Sequence, residues 1–421
     1  MSIKLIFFMM NFSKNKFFIF SSFLYLFLPI SIVIGNFPVN FLNVYSFIFI
    51  IYFYFNIKNI KSNINTEVLY LTVFFLYLLI NALVNNDQYT ITATIKYLRF
   101  YFFCLCVFYL LNNSVKFYKQ LIFIFFTVFI IVLIDGFFQY LFGVNLLGFK
   151  QEITHRVSGL FGNELILGSF ISKYLAFVIL LLLIKEKYKP FIFPILLFVL
   201  LLSFVSGERT AFATTVLISF FTICKLFNLK KVLLFISVTV TCIVAIVNLD
   251  GVVKDRMVLN TLENTKFLTE WKNPKSLKIY TDQHNGHFQS AYLMYKKGNF
   301  IEQLFGRGIK SFRNNCKKKE FCDTVNCCST HPHNIFLQIL SEVGLIGLFF
   351  YLYFMFYLLY NSFQLFIKNK DDIKFIIIIS IFFNYLPFLT SGNIFGTFLS
   401  TNFFLLVSFL IYFNNTKKNI T

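Results

Sequence analysis

Residues 120–142 read QLIFIFFTVFIIVLIDGFFQYLF, a run whose only charged group is Asp135. A helix of this length rises roughly 34 Å at 1.5 Å per residue, enough to cross a hydrocarbon core of about 30 Å. Eleven further apolar runs flank it, at Phe17–Gly35, Phe41–Phe55, Val68–Val84, Lys96–Leu111, Glu164–Ile184, Phe191–Val205, Arg209–Phe227, Val232–Leu249, Val343–Phe366, Phe375–Thr390 and Ile394–Phe413. Of the 421 residues, 58% are hydrophobic and 13% charged. That charged share is about half that of a soluble domain, too little to cover a globular surface. The expected fold is an all-α polytopic membrane protein with about twelve transmembrane helices. No small-residue cleavage site follows the first run, and more spans succeed it, so it reads as a span rather than a removed leader.

Orientation follows the Lys and Arg residues of the short connections. Lys4, Lys14 and Lys16 precede the first run. Lys58 and Lys61, Lys116 and Lys119, Lys185, Lys187 and Lys189, then Lys225, Lys230 and Lys231 fill alternate connections, and the last are Lys368, Lys370, Lys374, Lys417 and Lys418. The opposite connections hold only Lys150, Arg156 and Arg209. This alternation puts both termini in the cytoplasm and explains most of the net charge of +20 without nucleic acid. The chain divides into nine helices over 1–249, a long outer loop over 250–332 and three helices over 333–421. The loop, with the single Trp271 and an amphipathic stretch at Phe288–Tyr295, is expected to form a mostly helical cap.

The reactive residues collect on the outer side. All five histidines (His155, His284, His287, His331 and His333) fall there, joined by Arg156, Arg209, Arg99 and Lys96. Cations on the face that usually avoids them fit an anionic ligand such as a diphosphate, whose oxygens arginine binds in bidentate fashion. His155-Arg156-Val157-Ser158-Gly159 precedes a span, and Ser206-Gly207-Glu208-Arg209-Thr210-Ala211 makes a tight turn between two. His333 follows Pro332 at the start of a helix and can serve as a general base near neutral pH. Cys316, Cys322, Cys327 and Cys328 crowd the loop just upstream. In an oxidising compartment they can pair in three ways, whereas their spacing with His331 and His333 matches no standard zinc pattern. Asp135 and Lys173, both inside spans, are expected to form an ion pair, since intramembrane charges are usually paired.

His333-Asn334, nine residues, Gly344, two residues and Gly347 resembles the signature of the bacterial O-antigen ligase and polymerase superfamily, in its ligase form. Leu304-Phe305-Gly306-Arg307-Gly308 is similar to the family's Gly-x-Gly element, and the segments around Arg156 and Arg209 are similar to its two earlier arginine-bearing segments. The family usually places an Arg, with an aromatic a turn later, in the long loop. This chain has His287 and Tyr292 there, so His287, Arg307 or Arg313 takes that role. The resemblance implies glycosyl transfer without metal or cofactor from an undecaprenyl-diphosphate-linked glycan. Arg156, Arg209 and Arg307 would hold the diphosphate and His333 would act as the catalytic residue. Asn334, Gly159, Gly306, Gly308, Gly344 and Gly347 would shape the backbone. The acceptor would be lipid A–core or another glycan, reached on the periplasmic face of a bacterial inner membrane. A polymerase of O-antigen or capsule, a protein O-oligosaccharyltransferase, and a transporter of the same lipid-linked sugar are the alternatives.

Overall fold

The computed structural model describes residues 16–56, 66–151, 156–265, 282–322, 326–368 and 371–418. His155 and Trp271 lie outside them. Among the described residues there are helices and two isolated β-bridges, with no strand. Helices α1 (Lys16–Ile34), α2 (Asn36–Asn56) and α3 (Thr66–Asn85) are followed by α4 (Gln88–Tyr97), α5 (Arg99–Asn113) and α6 (Val115–Phe142). Next come α7 (Leu167–Leu183), α8 (Ile192–Val205), α9 (Arg209–Leu226) and α10 (Leu229–Leu249). The loop contributes α11 (Asp282–Lys296) and α12 (Phe300–Phe305), and α13 (Ile335–Ile367), α14 (Asp372–Asn384) and α15 (Thr397–Lys418) complete the chain. Among the described residues ten segments are long and apolar enough to cross a membrane, with α4 and α5 counted as one.

The remaining two apolar helices, α7 and α14, are 17 and 13 residues long, shorter than the runs at Glu164–Ile184 and Phe375–Thr390 predict. Their position explains this. Fourteen of the α7 residues are buried, as are most of α14, and the two pack against each other. Enclosed by protein, they need not match the bilayer, and the irregular backbone after Asn384 is tolerated because it too is covered. Side-chain amides tie the centre together: Asn384 donates to the Ser172 carbonyl at 3.0 Å, and Asn402 to that of Lys173 at 3.0 Å.

Three expectations change. The fourth span starts earlier than Lys96, at Gln88, because Asp87 caps α4 by accepting from the Thr90 N–H at 2.9 Å. The tenth begins at Ile335 rather than Val343 and is broken at Gly344. Asp135 and Lys173 do not pair. The Asp135 carboxylate accepts from the Leu146 N–H at 2.9 Å and the Asn145 amide at 3.4 Å, while the acid acting on Lys173 is Glu208. Asp135 thus anchors the loop after α6, where backbone N–H groups satisfy it without a cation. In the long loop, Cys316 is joined to Cys328 and Cys322 to Cys327, one of the three connectivities.

Candidate active site

His333 owes its place to the start of α13. Asn334 is the N-cap, its side chain accepting from the Leu337 N–H at 2.9 Å, which satisfies a donor that the first helical turn leaves open. His333 stands one residue before the cap with φ +57°, a left-handed conformation uncommon for a residue other than glycine. Its carbonyl accepts from the Ser391 N–H at 2.9 Å, and Asn334 bridges Thr390. The Thr390 hydroxyl meets that of Thr210, which joins the histidine strand to the start of α9, beside Arg209.

Three more imidazoles surround this one. Ring centroids lie 4.0 Å away for His331, 5.4 Å for His287 and 5.5 Å for His284. His284 and His287 are three residues apart on α11 and therefore share a face. Burial, followed by the neighbouring His331, His284 and His287, lowers the His333 pKa to about 3. His331 is held at about 4, chiefly by burial. His284 is also shifted down, by burial, His287 and then Arg209. These shifts favour the uncharged imidazoles at neutral pH, the form in which a ring nitrogen of His333 can accept a hydrogen bond.

The glycines hold the loop on the kink of α13. At Gly344 (φ +76°) the helix breaks, and the carbonyls before it lose their i+4 donors. Three replacements arrive from outside: the Arg307 N–H reaches Ser341 O at 3.1 Å, the Gly308 N–H reaches Glu342 O at 2.8 Å, and the Tyr77 hydroxyl reaches Val343 O at 2.5 Å. Backbones must touch for this. A Cβ on Gly306 would lie 2.4 Å from Glu342 C, and one on Gly344 would lie 2.3 Å from Leu304 O. Gly347 packs on Val343 and Tyr77. Glu342, just before the kink, accepts from the Lys310 N–H at 3.0 Å and the Phe312 N–H at 3.1 Å.

Cations converge at the turn before α9. Gly207 has φ +73°, and a Cβ there would fall 2.5 Å from Arg256 Nε and 3.5 Å from Arg156 Cγ. Arg256 Nε donates to Gly207 O at 3.0 Å, and Arg209 Nη2 donates to Arg256 O at 2.9 Å. Arg156 lies 3.9 Å from Glu208 and donates to Leu165 O at 3.2 Å. Glu208 is largely occupied, since it accepts from the Gly168 and Ser169 N–H groups at 2.7 and 3.1 Å and from the Ser169 hydroxyl at 2.7 Å. Glu208, which already caps α7, is the acid facing both Arg156 and Arg256. Gly159 (φ +56°) sets the approach of Arg156: Gln139 accepts from the Ser158 and Gly159 N–H groups at 2.8 and 2.7 Å.

Residues 191–352 match the family model of the O-antigen ligase. Over these residues the chain is similar to the O-antigen ligase family. This family belongs to the O-antigen ligase and polymerase superfamily of glycosyltransferase-like enzymes. The matched region runs from α8 through the kink of α13; Arg156 lies upstream of it. No curated protein matches the chain at a significant level.

Within the matched region, Arg307 is engaged elsewhere than the diphosphate expectation places it. Its guanidinium is 2.9 Å from Glu302, donates to Met294 O at 3.0 Å and covers the Phe321 ring at 4.9 Å. It clamps α11 and α12 to the disulfide-bonded segment. Sequence reasoning missed Arg256, because basic residues in a long loop carry no topological weight; its position directly after α10 was the available signal. His287 does enter the group around His333, from the helix where the family usually carries an arginine.

Proposed function

We propose that this protein transfers a glycan from undecaprenyl diphosphate to lipid A–core on the periplasmic face of a bacterial inner membrane. The observation that carries the reading is the juxtaposition of an uncharged His333 with an arginine group, His284 lying next to both. In the proposed reaction His333 takes the proton of an acceptor hydroxyl. The hydroxyl oxygen bonds to the anomeric carbon as the bond from that carbon to the diphosphate oxygen breaks, which inverts the centre. Both electrons of the broken bond leave with the diphosphate. Arg156, Arg209 and Arg256 stabilise the charge gathering there. No activated nucleotide is required, because the donor already carries its leaving group.

Reconstitution tests this. Purified protein receives undecaprenyl-diphosphate glycan and lipid A–core, with His333→Ala and Arg209→Ala alongside. Transfer to lipid A–core that both substitutions abolish is the expected result. Extension of the donor glycan instead would assign a polymerase. Donor binding by folded protein without transfer to either acceptor would overturn the ligase reading in favour of transport.

A further inference from the structure

A second group of cations reaches the histidines by way of His331 rather than His284. Lys96 and Arg99 flank the junction of α4 and α5, and Lys310 and Arg313 lie in the loop after Gly308. The contact of Gly308 seats the loop on the first turn of α4, the helix that ends at Lys96 and Tyr97. With φ +89°, Gly308 sits so close to Thr90 of α4 that a Cβ would lie 2.6 Å from the threonine Cβ. Lys310, itself at φ +63°, is fixed by its N–H to Glu342. Arg99, Arg313 and Lys96 are its like-charged neighbours, and Glu342 is the acid acting on it. Arg313 also acts on His331.

This arrangement is short of negative charge. Glu342 spends its oxygens on the Lys310 and Phe312 N–H groups and on Gln338, at 3.0, 3.1 and 3.2 Å. Arg99 reaches only the Thr397 hydroxyl, at a long 3.4 Å, and rests on the Phe100 ring at 4.7 Å. Its Nε is buried with no hydrogen-bond partner among the described residues. A buried guanidinium donor left open is costly, and like charges raise the cost unless an anion enters. Phosphate fits, since its oxygens match the arginine fork and also accept from lysine. The donor diphosphate is already provided for by Arg156, Arg209 and Arg256, so the second group serves the other substrate.

We propose that Lys96, Arg99, Lys310 and Arg313 form a binding site for a phosphate group on the acceptor saccharide, steering its hydroxyl toward His333. This rests on the transfer reading given above. The test uses the full chain in phosphatidylcholine nanodiscs and compares binding of phosphate-bearing lipid A–core with the same acceptor after phosphatase treatment. The expected result is a preference of about tenfold or more for the phosphorylated form, the size of one charge-assisted contact. Arg99→Gln and Lys310→Gln should each remove most of it, Arg99→Lys should keep part, and undecaprenyl-diphosphate binding should be unchanged in all three. Lys310→Gln alters a half-buried loop side chain and keeps the test open should Arg99→Gln fail to fold. Equal affinity for the two acceptors, or a loss falling equally on the donor, would overturn the proposal. So would a preference erased when phosphatidylglycerol replaces phosphatidylcholine, which would mark a site for bilayer headgroups. A phosphate preference sensitive to Arg99→Gln, in protein that transfers nothing, would support this site while sinking the transfer reading.

Discussion

The turn around Gly207 and the group around His333 both gather basic side chains, and they treat charge in opposite ways. At the turn, Arg156, Arg209 and Arg256 are partly buried but stay cationic, because a guanidinium does not lose its proton in a protein. They are held instead by carbonyls: Leu165 O, Arg256 O and Gly207 O. Around His333 two buried imidazoles, His287 and His331, pack with the half-buried His284 and His333, and the pKa of all four is lowered, first by burial. In the proposed reaction these two residue types divide two tasks: one attracts a leaving anion and the other accepts a proton. An arginine at His287 would blur that division, adding a permanent charge 5.4 Å, ring to ring, from the proposed base.

The strongest way to break the comparison is to remove the frame that both regions share. Gly344→Ala places a Cβ 2.3 Å from a backbone carbonyl that cannot step aside. Folded protein should be lost, or transfer reduced to background, as read by size-exclusion profile and assay together. His333→Ala should come next, lowering kcat by about 10²–10⁴-fold with donor binding retained in a direct binding measurement. Arg256→Gln should cost roughly 10²-fold in kcat, and Arg256→Lys should restore only part of it, because lysine lacks the planar fork. Arg256→Gln transferring as fast as wild type would remove this arginine from the site.

Acid sharpens the contrast. The folded pKa of His333 lies near 3 and that of the unfolded residue near 6.5, so between these values the unfolded chain binds more protons. Stability conferred by the neutral histidines is complete above about pH 6.5 and declines as pH falls through that window. Melting temperature should therefore drop between pH 7 and 5, whereas initial rates corrected for unfolding should show no titration centred at 6.5. A rate profile falling with a midpoint of 6.5 would contradict a neutral, buried His333. The smallest effect is expected from Arg307→Lys, within about threefold on kcat but measurable as lower thermal stability, since its partners are structural.

Much of the fold was legible because the bilayer imposes a length on each apolar run, as at Gln120–Phe142. That rule lapses for α7 and α14, which protein rather than lipid surrounds, so their ends were overestimated. Asp135 shows a similar limit: a charge inside a span demands satisfaction, but the sequence could not say that the Leu146 N–H would supply it. The spacing from His333 to Gly344 and Gly347 was visible as a pattern. Its physical reason, donors from Arg307, Gly308 and Tyr77 meeting carbonyls at a helix break, depends on contacts between distant segments. Arg256 was hidden because a basic residue in a long loop carries no topological weight.

Residues 309–322 and 326–330 lie between the contact on the kink of α13 and the beginning of the same helix. Gly306 and Gly308 pin the departure of this stretch, and the His333–Ser391 contact pins its return. Such an excursion has both ends referenced to one rigid body. Its exposed residues can therefore change without moving the histidine, whereas Lys310, Phe312 and Phe321 stay tied to the frame, much as a tool head is swapped on a fixed mount. Variation among acceptors has a natural address in these residues, while the machinery that cleaves the donor stays where it is.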